Sequence, residues 1–177
     1  GRIYACSCTR KELALASAPH GPAEFGAPYP GTCRAGPQRS HAPLSARFRV
    51  PDELPEFHDA LLGVVSPSAH GDFVVQRADG TFSYQLAVVV DDIAMEISEV
   101  LRGEDLAGCT GWQLALYEAL GSRPPAFVHV PLLRGPDGKR LAKRDGARSL
   151  AELRTQGVDA ATLVGALGAS VGLVAPG

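Results

Sequence analysis

A chain of 177 residues with 45% hydrophobic and 20% charged side chains has the make-up of a globular protein that can bury its own core. Its net charge of −2 argues against a protein held together mainly by nucleic-acid contacts, although a local basic surface remains compatible with it. No apolar run reaches the roughly 18–20 residues of a membrane-spanning helix, and the first residues lack the basic-then-apolar pattern of a secretory signal, so the expectation is a cytoplasmic enzyme with no membrane partner.

In chain order, Ile3-Tyr4-Ala5 reads as a strand end entering a Cys6-Ser7-Cys8 turn. Gly1 is not an initiator methionine, and the chain is expected to begin inside a domain. Thr9 and Glu12 have the spacing of a capping box for a short helix over 11–17. A Pro/Gly-rich stretch from Pro19 to Gly31 follows, then a polar connector over 36–46. Residues 47–50 alternate like a short strand. Two β-rich runs, 73–77 and 81–84, flank Asp79-Gly80, a strong hairpin turn signal. The unbroken apolar run 86–90 predicts a strand buried on both faces, and 96–101 predicts another.

Thr110 is placed to cap a helix over 110–120, with Trp112, Leu116, Ala119 and Leu120 on its inner face and Gly121 ending it. Residues 127–133 read as a strand that runs into a basic loop. Ser149 and Glu152 form a capping box whose helix Gly157 ends, and Asp159 caps a last apolar helix reaching about 173. Strands alternating with helices predict an α/β fold with a small β-rich insert in the first half.

Four cysteines stand at 6, 8, 33 and 109. Cys6 and Cys8 are too close to bridge each other without strain, and metal explains the pattern better than a disulfide. A zinc ion needs four tetrahedral donors. Cys6, Cys8 and Cys33 offer three thiolates; Tyr29, His20 and His41 are alternatives for the fourth. Cys109 reads as a small packing residue. Such a thiolate-rich site pinning a Pro/Gly-rich loop is structural and implies no open catalytic position.

Between Arg134 and Arg154 lie seven basic residues against three acidic ones. Gly135, Gly138 and Gly146 loosen the backbone, and Lys139 and Lys143 are spaced to present ammonium groups to a triphosphate. A lysine that engages as charge grows on departing pyrophosphate lowers the barrier selectively.

The stretch from His129-Val130-Pro131-Leu132-Leu133 through Arg140-Leu141-Ala142-Lys143-Arg144 resembles the KMSKS loop of class I aminoacyl-tRNA synthetases, in its glutamyl-type form. The segments Phe82 to Asp92 and Val100 to Leu106 are similar to active-site segments of the same family. The resemblance implies the C-terminal part of a Rossmann-type catalytic domain with a zinc-bearing, β-rich insertion. It implies that Lys143 is the catalytic, ATP-contacting lysine, with Arg140, Leu141, Ala142 and Arg144 also at the ATP site. Ala142 departs from the usual serine. Tyr84 and Arg102 would bind glutamate, the arginine as a bidentate fork for a carboxylate.

Within the family, the Cys6, Cys8, Tyr29, Cys33 pattern is similar to that of the shorter glutamyl-Q tRNA(Asp) synthetases. These transfer glutamate to the queuosine base of tRNA(Asp). The resemblance implies an ATP-dependent ligase, using magnesium with ATP, one structural zinc, L-glutamate and tRNA(Asp), acting as a monomer. The alternatives are a conventional glutamyl-tRNA synthetase acting on tRNA(Glu), or a non-catalytic zinc-stabilised RNA-binding module. The expected division is 1–70 as the zinc-binding, acceptor-end insertion, 71–148 as the second half of the catalytic domain, and 149–177 as a helical segment. The family's His-x-Gly-His type motif is absent, so the 177 residues alone are not expected to catalyse exchange of pyrophosphate into ATP.

Overall fold

The computed structural model describes residues 1–9, 11–13, 28–134, 149–170 and 174–175. The chain divides into two compact units, Gly1–Pro131 and Leu132–Gly177. Among the described residues, no helix is long and apolar enough to cross a membrane.

The described residues of the first unit form two sheets. One is antiparallel, with strands β1 (Ile3–Cys6), β2 (Ser45–Phe48) and β5 (Phe73–Gln76) in the order β1-β2-β5. This sheet draws strands from both sides of residue 70. The other contains β3 (Phe57–Asp59), β4 (Gly63–Val65), β6 (Glu99–Gly103) and β7 (Ala126–Val130), in the order β4-β3-β7-β6. It is mixed: β3 and β4 are antiparallel, whereas β7 runs parallel to both β3 and β6. A parallel pair cannot be joined by a tight turn. Helix α2 (Thr110–Ala119) lies in the connection between β6 and β7.

The apolar run 86–90, expected as a buried strand, instead lies inside helix α1 (Tyr84–Ala94). A run of five apolar residues fits either structure. The wider spacing decides it: Leu86, Val89 and Ile93 fall at i, i+3 and i+7 and pack on the core, with Val89 fully buried. The helix also removes Tyr84 from its expected strand. The Asp79-Gly80 turn does form, with Gly80 at φ 85 and Arg77 N–H bonded to Thr81 O at 2.8 Å. Beyond it, Gln76 of β5 and Phe82 form an antiparallel bridge. The strand expected at 96–101 begins at Glu99, because Glu96 takes φ 54 to end α1.

The core contains Phe48, Val50, Phe73, Val75, Val89, Ala115, Leu116 and Tyr117. Phe73 stacks on Trp112 with ring centroids 4.9 Å apart. The inner face of α2 differs from expectation. Gln113, Ala115 and Tyr117 are buried with Leu116, while Leu120 is exposed. Gln113 reaches Gln85 of α1 at 2.7 Å and Tyr117 donates to Asp92 at 3.0 Å, so the two helices are pinned by polar contacts as well as packing. Thr110 does not cap α2: its hydroxyl donates back to Leu106 O at 3.1 Å.

In the second unit, helix α3 (Leu150–Thr155) opens with the expected Ser149–Glu152 capping box, and Gly157 follows at φ 83. Helix α4 (Ala160–Ser170) starts after Asp159, whose carboxylate accepts from Thr162 N–H at 2.8 Å.

Candidate functional site

Two side-chain clusters in the first unit carry chemistry. The first lies where β1 leaves its sheet. Cys6 ends that strand and Cys8 is two residues on, while Tyr29 and Cys33 come from the loop that follows. The three sulfurs lie within 4.8 Å of one another. Tyr29 Oη stands 3.5 Å from Cys6 Sγ and 3.6 Å from Cys8 Sγ, and the sulfurs of Cys8 and Cys33 are 3.6 Å apart. Donors ~2.0–2.3 Å from one tetrahedral cation stand roughly 3.3–3.8 Å from each other. The spacing therefore fits a metal ion. Among the described residues His41 is outside this cluster and exposed; His20 lies outside the described residues.

Local structure holds these donors in place. Tyr29 Oη accepts from Cys33 N–H at 2.8 Å. Thr9 and Glu12 form the expected reciprocal cap just after Cys8. Gly71 sits at φ 75 beside Tyr29, where a Cβ would meet the Tyr29 nitrogen at 3.0 Å. Burial raises the Cys8 thiol to about 11 and pushes Tyr29 further up. Cys33 is opposed by burial too, but hydrogen bonds from Tyr29 and the backbone of Ser7 and Gln38 bring it down to about 6. Clustered anions disfavour one another, and a cation at their centre relieves that.

A further participant is Arg47 of β2, whose alternation marks it as a strand residue and nothing more. Arg47 is buried, its Nε lies 3.3 Å from Cys6 Sγ, and its guanidinium sits 3.8 Å above the Tyr29 ring. A buried guanidinium needs compensating charge, which a thiolate-rich cluster supplies. Its alternation in β2 was legible; its turn towards the cysteines was not.

The second cluster surrounds Arg102, near the end of β6. Arg102 Nε donates to His129 Nε2 at 3.0 Å, and Nη2 donates to Thr110 Oγ1 at 2.8 Å. The guanidinium also faces the Phe127 ring at 5.1 Å. His129 is adjacent because β6 and β7 run parallel with Arg102 opposite it. On its other side, His129 Nδ1 meets Asp59 Oδ2 at 2.7 Å, and both side chains are fully buried. Burial works to raise the Asp59 pKa, but the N–H groups of Leu62 and Leu61 and the backbone and ring of His129 hold it down at about 2. Asp59 is thus an anion anchored in the sheet, 70 positions from His129.

Tyr84 opens α1 and is half exposed. Among the described residues its hydroxyl has no hydrogen-bond partner. Arg140, Leu141, Ala142, Lys143 and Arg144 lie outside the described residues. Cys109 is buried, its thiol donating to Leu106 O at 3.2 Å. The structure thus brings together Cys6, Cys8, Tyr29 and Cys33, and adds Asp59, His129 and Thr110 to Arg102.

A family model described as tRNA synthetases class I (E and Q), catalytic domain, matches residues 2–170. A glutamyl-Q tRNA(Asp) synthetase of Nitratidesulfovibrio vulgaris is 48% identical over 98% of this chain and 57% of its own length. The protein of that name from Symbiobacterium thermophilum is 52% identical, with the same coverage of both chains. Among solved structures, a glutamate tRNA ligase from Elizabethkingia meningosepticum, crystallised in complex with its amino acid, is similar at a TM-score of 0.64. Its sequence identity is 29%, over 82% of this chain and 32% of that one. The chain spans a little over half the length of the curated relatives it matches.

Proposed function

The chain belongs to the class I tRNA synthetase family (E and Q), within its catalytic domain, and from that premise we propose that it serves the ATP-dependent transfer of glutamate to the queuosine base of tRNA(Asp). The observation that carries this reading is the tyrosine oxygen 3.5 and 3.6 Å from the sulfurs of Cys6 and Cys8, beside a third sulfur, that of Cys33, 3.6 Å from Cys8. It supports the glutamyl-Q branch, which the likeness to two proteins of that name also favours.

In this reading Cys6, Cys8, Tyr29 and Cys33 hold a structural zinc ion. Its contribution is to pin the loop behind β1. Residues 1–70 form the insertion that meets the acceptor partner, with β5 reaching into its sheet and β3 and β4 reaching out of it to pair beside β7. Residues 71–148 supply the second half of the catalytic domain, and 149–177 form a helical segment. The setting is a cytoplasmic monomer.

The reaction has two steps. The glutamate α-carboxylate attacks the ATP α-phosphate, the bond to pyrophosphate breaks, and glutamyl-adenylate forms. A hydroxyl of the queuosine base then attacks the activated carbonyl and releases AMP. Magnesium arrives with ATP as part of that substrate. Arg102 pairs with a glutamate carboxylate through charge-assisted hydrogen bonds, Tyr84 lines the same pocket, and Lys143 meets the charge developing on pyrophosphate.

The deciding experiment gives the full-length protein labelled glutamate, ATP and either queuosine-bearing tRNA(Asp), tRNA(Asp) without queuosine, or tRNA(Glu). Label should enter only the first. Charging of tRNA(Glu) instead favours a conventional glutamyl-tRNA synthetase, the reading to which the glutamate tRNA ligase structure points. Label in none of the three overturns the proposal.

A further inference from the structure

Arg102 can clamp a carboxylate only if its fork is held still and presented correctly, and an arginine side chain has many rotamers to lose. The structure contains a brace for it. Asp59 Oδ1 accepts from Leu61 N–H and Leu62 N–H, both at 2.9 Å. Its Oδ2 accepts from His129 N–H at 3.0 Å and faces the His129 ring at 2.7 Å. Every hydrogen bond that reaches Asp59 therefore asks it to be a carboxylate acceptor, and the ring nitrogen facing it, Nδ1, must carry the proton.

That fixes the other end of the ring. With hydrogen on Nδ1, a neutral imidazole has a lone pair on Nε2. This lone pair is what Arg102 Nε–H needs as its acceptor at 3.0 Å. Thr110 Oγ1 is oriented in the same sense. It gives its own hydrogen to Leu106 O and so has lone pairs for Arg102 Nη2. Together His129 and Thr110 occupy the Nε–Nη2 side of the guanidinium and leave its Nη1–Nη2 end for a substrate.

We infer that Asp59 and His129 are positioning residues for amino-acid recognition: the pair sets the histidine tautomer that fixes the Arg102 fork in its carboxylate-binding pose. The inference rests on the proposed role of Arg102 as a glutamate ligand and extends it two residues back into the sheet. Neither Asp59 nor His129 touches the reacting atoms. Their effect is on glutamate affinity, so it falls on the glutamate KM and leaves the ATP KM unchanged.

Three variants of the full-length protein separate the possibilities. His129→Leu removes the acceptor, and glutamate KM should rise about 10- to 100-fold, the scale of loss from a misplaced substrate clamp. His129→Gln can accept from Arg102 and donate to Asp59 at once, and should stay near the wild-type value. Asp59→Asn keeps the shape but sets an amide N–H against one of the donors around it, and should raise glutamate KM as His129→Leu does. An unchanged ATP KM reports an intact fold in each case. Equal glutamate KM values for His129→Leu and His129→Gln overturn the inference.

Nitrogen NMR of labelled histidine tests the brace without reference to glutamate. At neutral pH His129 should carry its proton on Nδ1 with Nε2 bare; a protonated Nε2 overturns the inference. Arg102→Lys tests the underlying role. A normal glutamate KM in that variant removes Arg102 from the substrate site, and the inference with it, whatever the NMR shows.

Discussion

Asp72 grips Arg34 at both prongs, with Oδ2 2.7 Å from Arg34 Nε and Oδ1 2.8 Å from Nη2. The carboxylate is fully buried, whereas the Arg34 side chain is 43% exposed. Asp72 also accepts from Tyr4 Oη at 2.5 Å and from Val50 N–H at 3.0 Å. It therefore ties the residue after Cys33 to β1 and to the end of β2. Asp72→Ala should cost about 2–3 kcal/mol, because it leaves the Val50 N–H buried without an acceptor. Urea unfolding measures this. Metal affinity should fall in the same variant, since Arg34 no longer anchors its neighbour Cys33.

Metal content tests the cysteine cluster. The purified protein should carry about one zinc per chain, and Cys33→Ser should abolish stoichiometric binding. Tyr29→Phe should weaken binding while leaving three thiolates in place, and Tyr29→His should restore it. A folded, metal-free wild-type protein would contradict the assignment.

Acid should weaken the Arg102 brace in a defined window. Asp59 titrates at about 2 in the folded protein against an ordinary 3.8. A depressed folded value means that ionised Asp59 stabilises the fold fully above about pH 4, and that this contribution drains away as pH falls towards 2. Melting temperatures from pH 5 to pH 2 should fall more steeply for the wild type than for Asp59→Asn. Equal slopes would show that Asp59 adds nothing to acid sensitivity.

Helix α2 meets the loop before β5 at Gly111. A Cβ there would stand 2.6 Å from both Cβ and Cγ of Pro67 and 3.1 Å from a Leu54 methyl. The proline ring is tied to its backbone and cannot swing aside. Gly111→Ala should therefore destabilise by about 1–3 kcal/mol despite the better helix propensity of alanine. Thermal melting would show it, with Gly165→Ala as the contrast, since a Cβ at Gly165 meets nothing within 4 Å.

What could be read from the chain without its fold is local in its physics. The caps at Thr9 with Glu12 and at Ser149 with Glu152, the turn at Asp79-Gly80 and the stop at Gly157 each depend on groups within a few residues. Family membership was legible for the related reason that motif spacing is written along the chain. Tertiary packing decided the rest. Residues 86–90 suit a buried strand or a buried helix equally by hydrophobicity, and only the seats offered to Leu86, Val89 and Ile93 chose the helix. Strands β3 and β4 are three residues each and carry no periodicity to detect. Arg102 was visible through its motif, but its brace was not, because Asp59 lies 70 positions from His129 and meets it through the parallel pairing of β3 with β7. Contacts of that range depend on register between strands, which no stretch of sequence carries by itself.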